Sequence, residues 1–187
     1  MEFKKKHIKA DALSCVRKGD YDRAIARYRE YLQINKNDCD AWAGLGGAYR
    51  RKGDLDKAIE SYEKAYALDQ TSTYALVNII SLRAARNTEA DKLKNQQYIG
   101  IAEGLLRKIL DTSTGDHWTW YDLATLQLLD GKVSEALRTF TFAADLTPKT
   151  AKENFKSVLS NLEFLQKNNP KIDGINDVIA MIRQYAE

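Results

Sequence analysis

Two stretches of this 187-residue chain repeat one another at a fixed length. Cys39–Ser72 and His117–Thr150 each span 34 residues. Counted from the first residue of each, Trp42, Leu45, Gly46, Tyr49, Gly53, Ala58, Tyr62 and Ala65 fall at positions 4, 7, 8, 11, 15, 20, 24 and 27. Trp120, Leu123, Ala124, Gln127, Gly131, Ala136, Phe140 and Ala143 fall at the same places, and Pro148 follows at 32. Such a unit reads as a pair of helices, the first ended by the glycine of position 15. Small residues at 8 and 20 let the helices approach closely, and large ones at 4, 7, 11 and 24 fill the space between successive pairs. Neither helix can bury its apolar face alone, so the pairs must stack to make a core.

The spacing resembles the tetratricopeptide repeat, whose pattern is W-x2-L-G-x2-Y followed by Ala, an aromatic, Ala and Pro. Cys39–Ser72 departs from it only at the last element, where Gln70 replaces Pro. On Lys5–Asp38 the same ruler places Ile8, Ala12, Cys15, Gly19, Ala24, Tyr28 and Tyr31 correctly, with Asp11 where Leu is expected. From Thr73 it places Leu76, Ile79 and Ile80, and it puts Asn87 at the glycine position. Asn tolerates the left-handed backbone of a helix-ending turn. The register then slips by ten residues and recovers at Ala102, Leu106 and Ile109. The third repeat, 73–116, therefore carries a ten-residue insertion near 88–97. Thr88 followed by Asp91 suggests a helix start there, so a lengthened second helix is favoured over a polar loop. Gly19-Asp20 and Gly53-Asp54 each read as the end of one helix and the cap of the next.

Beyond the fourth repeat (117–150), Phe155, Val158, Leu159, Leu162 and Leu165 form one helical stripe, and Ile175, Val178, Ile179 and Ile182 another. Residues 151–187 are thus expected to cap the array. The resemblance, which covers about Lys5 to Thr150, implies an all-α fold: a right-handed α-solenoid of antiparallel helix pairs, four repeats plus C-terminal capping helices, in one domain over 1–187. The first repeat occupies about 5–38.

The resemblance also implies a concave face, lined mainly by the first helix of each pair, that binds a peptide or helical segment. Its family positions fall here on Lys9, Leu13 and Arg17, on Ala43, Gly47 and Arg50, on Tyr74, Val77 and Ser81, and on Trp118, Tyr121 and Thr125. Lys6 and Arg51 add to a basic N-terminal half, and the C-terminal half is apolar and aromatic. The expected partner is a protein segment with an acidic end and an apolar anchor. One subgroup of the family grips a C-terminal carboxylate at five positions, which here hold Lys9, Leu13, Gly44, Tyr74 and Asn78. Only Lys9 fits, which argues against that clamp.

Composition narrows the alternatives. The net charge of +3 supplies no field that demands nucleic acid, and RNA binding is disfavoured. No apolar run reaches the roughly 18–20 residues of a membrane span, and the charged N-terminus lacks a signal-peptide core. Cys15 and Cys39 lack metal-site spacing and read as packing residues of a reducing, cytoplasmic compartment. His7 and His117 sit in different repeats. No metalloprotease, phosphate-loop or nucleophile-elbow motif occurs, and the acidic residues read as scattered along solvent faces. The expectation is a protein-binding adaptor with no catalytic residues, no metal and no cofactor. A self-assembling homo-oligomeric scaffold is the alternative.

Overall fold

The computed structural model describes the backbone over residues 2–112 and 116–187, with side chains from residue 7 onward within those ranges. Lys6 therefore lies outside the described side chains. Among the described residues there are ten α-helices and no strand: α1 (Glu2–Arg17), α2 (Tyr21–Ile34), α3 (Cys39–Lys52), α4 (Leu55–Leu68), α5 (Thr73–Arg86), α6 (Glu89–Thr112), α7 (His117–Leu129), α8 (Val133–Leu146), α9 (Lys152–Asn168) and α10 (Ile175–Ala186). The chain divides into two compact units, Met1–Leu82 and Arg83–Glu187.

In the first unit the turns follow from two residue types. Gly19 and Gly53 take φ of 77° and 86°, a left-handed backbone that costs glycine little. The aspartates that follow cap the next helices: Asp20 accepts from the Arg23 N–H and Asp54 from the Lys57 N–H, both at 3.2 Å. Asp38 caps α3 in the same way through the Ala41 N–H, at 2.9 Å. Each such cap typically stabilises its helix by about 1 kcal/mol.

The small residues at positions 8 and 20 are sealed in. Ala12, Ala24 and Ala58 are fully buried, and Gly46 lies so close to Tyr62 that a Cβ there would sit 2.7 Å from the ring. Tyr28 and Tyr62 fill position 24 with buried rings. Asp11, the polar departure of the first repeat, accepts ion pairs from Arg27 at 2.8 Å and Arg23 at 3.6 Å. Position 7 of α1 is thus bound to α2 by charge, where the other repeats use leucine or isoleucine.

In the second unit the chain turns through Asn87, whose φ is 56°. Helix α6 then runs unbroken for 24 residues, against 13 for α7 and 14 for α8. Its start is a capping arrangement: the Asp91 N–H donates to the Thr88 hydroxyl at 3.2 Å, and that hydroxyl donates back to the Asp91 carboxylate at 2.7 Å. Arg86 forks onto the same carboxylate through Nε and Nη2 at 2.8 and 2.6 Å. Asp91 is only 1% exposed, and together these donors hold its pKa below the usual carboxylate range against the opposing effect of burial. This corrects the expectation that the acidic residues lie on solvent faces, since periodicity alone does not register a carboxylate buried by its own cap.

The core of the second unit packs Tyr121, Ala124, Ala136 and Phe140 with Phe155, Leu162, Ile175, Val178 and Ile182. Helices α9 and α10 thus cover the apolar edge that α7 and α8 would expose. Gly174, at φ 71°, admits this closure: a Cβ there would collide with the Val133 side chain at the start of α8.

Candidate functional site

In the first unit α1 touches α3, and Lys9 is tied down between them. Its ammonium donates to both Asp38 oxygens at 2.9 and 2.8 Å, and the Tyr31 hydroxyl donates to the same carboxylate at 2.7 Å. Burial opposes charge on both partners, yet these contacts prevail, raising the Lys9 pKa and lowering that of Asp38. Leu13, one turn further along α1, is 43% exposed, and Arg17 is exposed beyond it.

On α3 the sequence Gly44-Leu45-Gly46-Gly47 removes side chains where tyrosines arrive from the second helices. A Cβ at Gly44 would lie 2.5 Å from the Tyr28 hydroxyl, and one at Gly47 would lie 3.4 Å from that of Tyr62. The hydroxyl ends of two buried rings therefore pack beneath the glycine positions. Arg50 donates to Asn78 Oδ1 at 3.3 Å, and burial lowers its pKa while Tyr62 and Tyr74 oppose that effect. Tyr74 packs edge-on to Tyr62 with ring centroids 6.0 Å apart and remains 57% exposed. Ala43 and Val77 are buried and Ser81 is half-buried.

In the second unit the three residues singled out on α7 separate by depth. Trp118 is 37% exposed and Tyr121 is buried. The Tyr121 hydroxyl meets that of Thr147 at 3.1 Å, and Thr125 turns its hydroxyl onto the Tyr121 carbonyl at 2.8 Å. His117, Trp118 and Tyr121 form an aromatic group, with Trp118 5.0 Å from His117 and 6.0 Å from Tyr121 between centroids. His117 Nε2 contacts the Asn154 side-chain amide at 3.0 Å.

Sequence reasoning missed Asp122, in the same stretch of α7. It is half-buried, and burial together with the like charge of Asp116 pushes its carboxyl up to about 7. A signal was available in the repeat itself, since position 6 holds Ala10, Gly44 and Asn78 in the other three repeats and a charge only here.

Residues 10–73 match the family model described as Tetratricopeptide repeat. Among curated proteins, the chain is 26% identical over 129 residues to Superkiller complex protein 3 of Mus musculus, covering 67% of this chain and 8% of that protein. It is 26% identical over 148 residues to Superkiller protein 3 of Schizosaccharomyces pombe, covering 75% and 10%. The chain thus spans a tenth or less of the length of these relatives.

Three solved structures superpose along nearly all of it. TTC0263, a thermophilic TPR protein of Thermus thermophilus, has a TM-score of 0.61 at 14% identity, covering 96% of this chain and 99% of that one. MamA from Desulfovibrio magneticus RS-1 has a TM-score of 0.55 at 18% identity, with 97% and 94% covered. YrrB, a TPR protein with an unusual peptide-binding site, has a TM-score of 0.52 at 17% identity, with 95% and 85% covered. At these identities the structures establish a shared fold. Residues 10–73 thus match the tetratricopeptide repeat model, and along nearly its whole length the chain shares the all-α helical-repeat fold of these TPR structures.

Proposed function

We propose that this chain is a protein-interaction module that receives a segment of a partner protein on the α1–α3–α5 face of its first unit. The observation that carries this reading is the glycine-lined stretch of α3, which the buried Tyr28 and Tyr62 rings underlie and which has exposed Tyr74 packed against Tyr62; Leu13 on α1 is exposed as well. Glycines let a ligand backbone approach closely, over a floor that the two buried rings hold rigid. Arg17 and Arg51 are exposed and make no ion pair among the described residues, which suits a segment with an acidic end. Tyr74 and Leu13 suit an apolar anchor, aromatic residues and arginine being those that most often dominate interface energy. Lys9, Ala43, Gly47, Arg50, Val77 and Ser81 then serve as the floor and frame of this surface. The module acts by binding and carries out no chemistry of its own. Two free thiols suit a reducing compartment such as the cytoplasm.

The test is capture of partners from native lysate with wild-type chain beside a Tyr74→Ala, Arg51→Glu variant, whose two sites are exposed and should leave the fold intact. A protein held by the first bait and lost by the second supports the reading. The same proteins on both baits would overturn it.

A second reading, self-association, is favoured by one feature of α6. Leu93 is 62% and Ile101 49% exposed on its outer side, where a surface helix ordinarily carries polar residues. Light scattering at tens of micromolar separates the two, since a strict monomer removes self-assembly.

A further inference from the structure

We propose that Asp122, with Trp118 and Thr125 beside it on α7, forms a receptor for a guanidinium group: the side chain of an arginine presented by the partner protein. Residues three and four apart share a helix face, so Trp118 and Thr125 flank Asp122 one turn to either side. Trp118 keeps more than a third of its surface exposed, backed by His117 and Tyr121. No hydrogen bond or ion pair reaches Asp122 among the described residues. The one charge that influences it is another carboxylate, Asp116, which is itself occupied in capping α7 through the Thr119 N–H at 2.9 Å.

A carboxylate withdrawn from water without a counter-charge is costly, and the fold does not require one at this place. The equivalent residues in the other repeats are Ala10, Gly44 and Asn78. Other buried or half-buried aspartates have donors: Asp38 has Lys9 and Tyr31, Asp91 has Arg86 and Thr88, Asp54 has Lys57, Asp11 has Arg23 and Arg27, and Asp69 has Thr71. Asp122 alone among these is left for a cation from outside. The carboxyl held near 7 is the mark of that missing charge.

Arginine fits better than lysine. A planar guanidinium can bond to the carboxylate while its face lies on an indole, and it sheds water more readily than an ammonium. The exposed indole of Trp118 supplies the aromatic face that attracts a cation.

This inference rests on the interaction reading but concerns the other unit, so the two can fail separately. The test is a titration of the full chain with N-acetyl-arginine amide, followed by the backbone resonances of Trp118, Asp122 and Thr125 and the Trp118 indole N–H. N-acetyl-norleucine amide and N-acetyl-glutamate amide serve as controls. We expect saturable shifts with the arginine amide only, with affinity on the order of millimolar for so small a ligand. Affinity should fall at least about tenfold in Asp122→Asn, as expected when one partner of a desolvated ion pair is removed. Trp118→Leu should weaken it by a smaller factor. In the complex, the Asp122 carboxyl should titrate at least about one unit lower than in the unliganded chain. Absence of saturable shifts, or binding that persists unchanged in Asp122→Asn, would overturn the proposal. Either outcome leaves the capture experiment on Tyr74 and Arg51 to be judged by itself.

Discussion

Helices α3 and α7 occupy the same place in their repeats, each following a capping aspartate and each backed by an aromatic from its partner helix. They nonetheless present opposite chemistry. Where α3 carries Gly44, α7 carries Asp122; Gly47 becomes Thr125, and Arg50 becomes Leu128. The small positions facing the partner helix differ for a steric reason. The Tyr62 ring leaves no room for a Cβ at Gly46, whereas Phe140 packs in the same core as Ala124. Outside that contact the same pair position holds Lys64 over the Trp42 ring at 4.7 Å in one repeat and Phe142 edge-on to Trp120 at 4.8 Å in the other. The repeat fixes which positions are small, and leaves other positions of the first helix free to change in size and charge.

The largest expected effect tests whether the two units share one packing logic. Phe140→Ala and Tyr62→Ala each empty a fully buried position 24 and should cost about 3–5 kcal/mol in chemical denaturation. A much smaller loss in one would show that its core is not built on that aromatic. Next is the close approach at position 20. Ala58→Leu inserts volume where no surface is exposed and should cost about 1–3 kcal/mol. An unchanged melting temperature would mean the helices are not in van der Waals contact there.

The third prediction separates the units by pH. Asp38 has a folded pKa below its unfolded value, so its contribution is present at neutral pH and is lost as pH falls through that lowered pKa. Asp122 behaves in the opposite sense. Its carboxyl is raised to about 7, so its contribution is present below the unfolded value and is lost as pH rises through 7. Asp122→Asn should therefore stabilise the chain at pH 8, by about 1–2 kcal/mol after allowing for its partial exposure, with little change at pH 4. Thermal melts at both pH values check the sign, and a loss of stability at pH 8 would contradict the unpaired state of the carboxylate. The smallest effect is that of Lys64→Ala, which removes an exposed cation from the Trp42 face and should cost about 0.5–1 kcal/mol. Phe142→Ala, at the same position of the other repeat, removes an edge contact between rings instead. Its cost should be insensitive to salt, whereas that of Lys64→Ala should not.

Much of this was legible in the sequence because the period is long and the small residues are strict. The helix pairs, the glycine turns at Gly19 and Gly53, the left-handed Asn87 and the two C-terminal helices all follow from residue type and spacing. The face was less legible. The family resemblance assigned Lys9 and Val77 to it but could not show that Lys9 is matched by Asp38 or that Val77 is covered. Both depend on contacts across helices that no local pattern encodes. Asp122 was hidden for a related reason. A charged residue on a first helix looks like surface until the surrounding protein is seen to withhold a counter-ion. Ile109, aligned with the buried Ala65 and Ala143, is 38% exposed, although Ala102 and Leu106 before it in the same register are buried.

The carboxylate of Asp38 caps α3, receives the ammonium of α1 and accepts the hydroxyl of Tyr31 from α2. Three helices are therefore latched by one side chain. Opening α1 at its middle strips a counter-charge from the residue that also caps α3, so the first helix is coupled to the third beyond the apolar contacts they share. In amide hydrogen exchange this predicts a common opening free energy for the middle of α1 and the first turn of α3, and Asp38→Ala should split it into two.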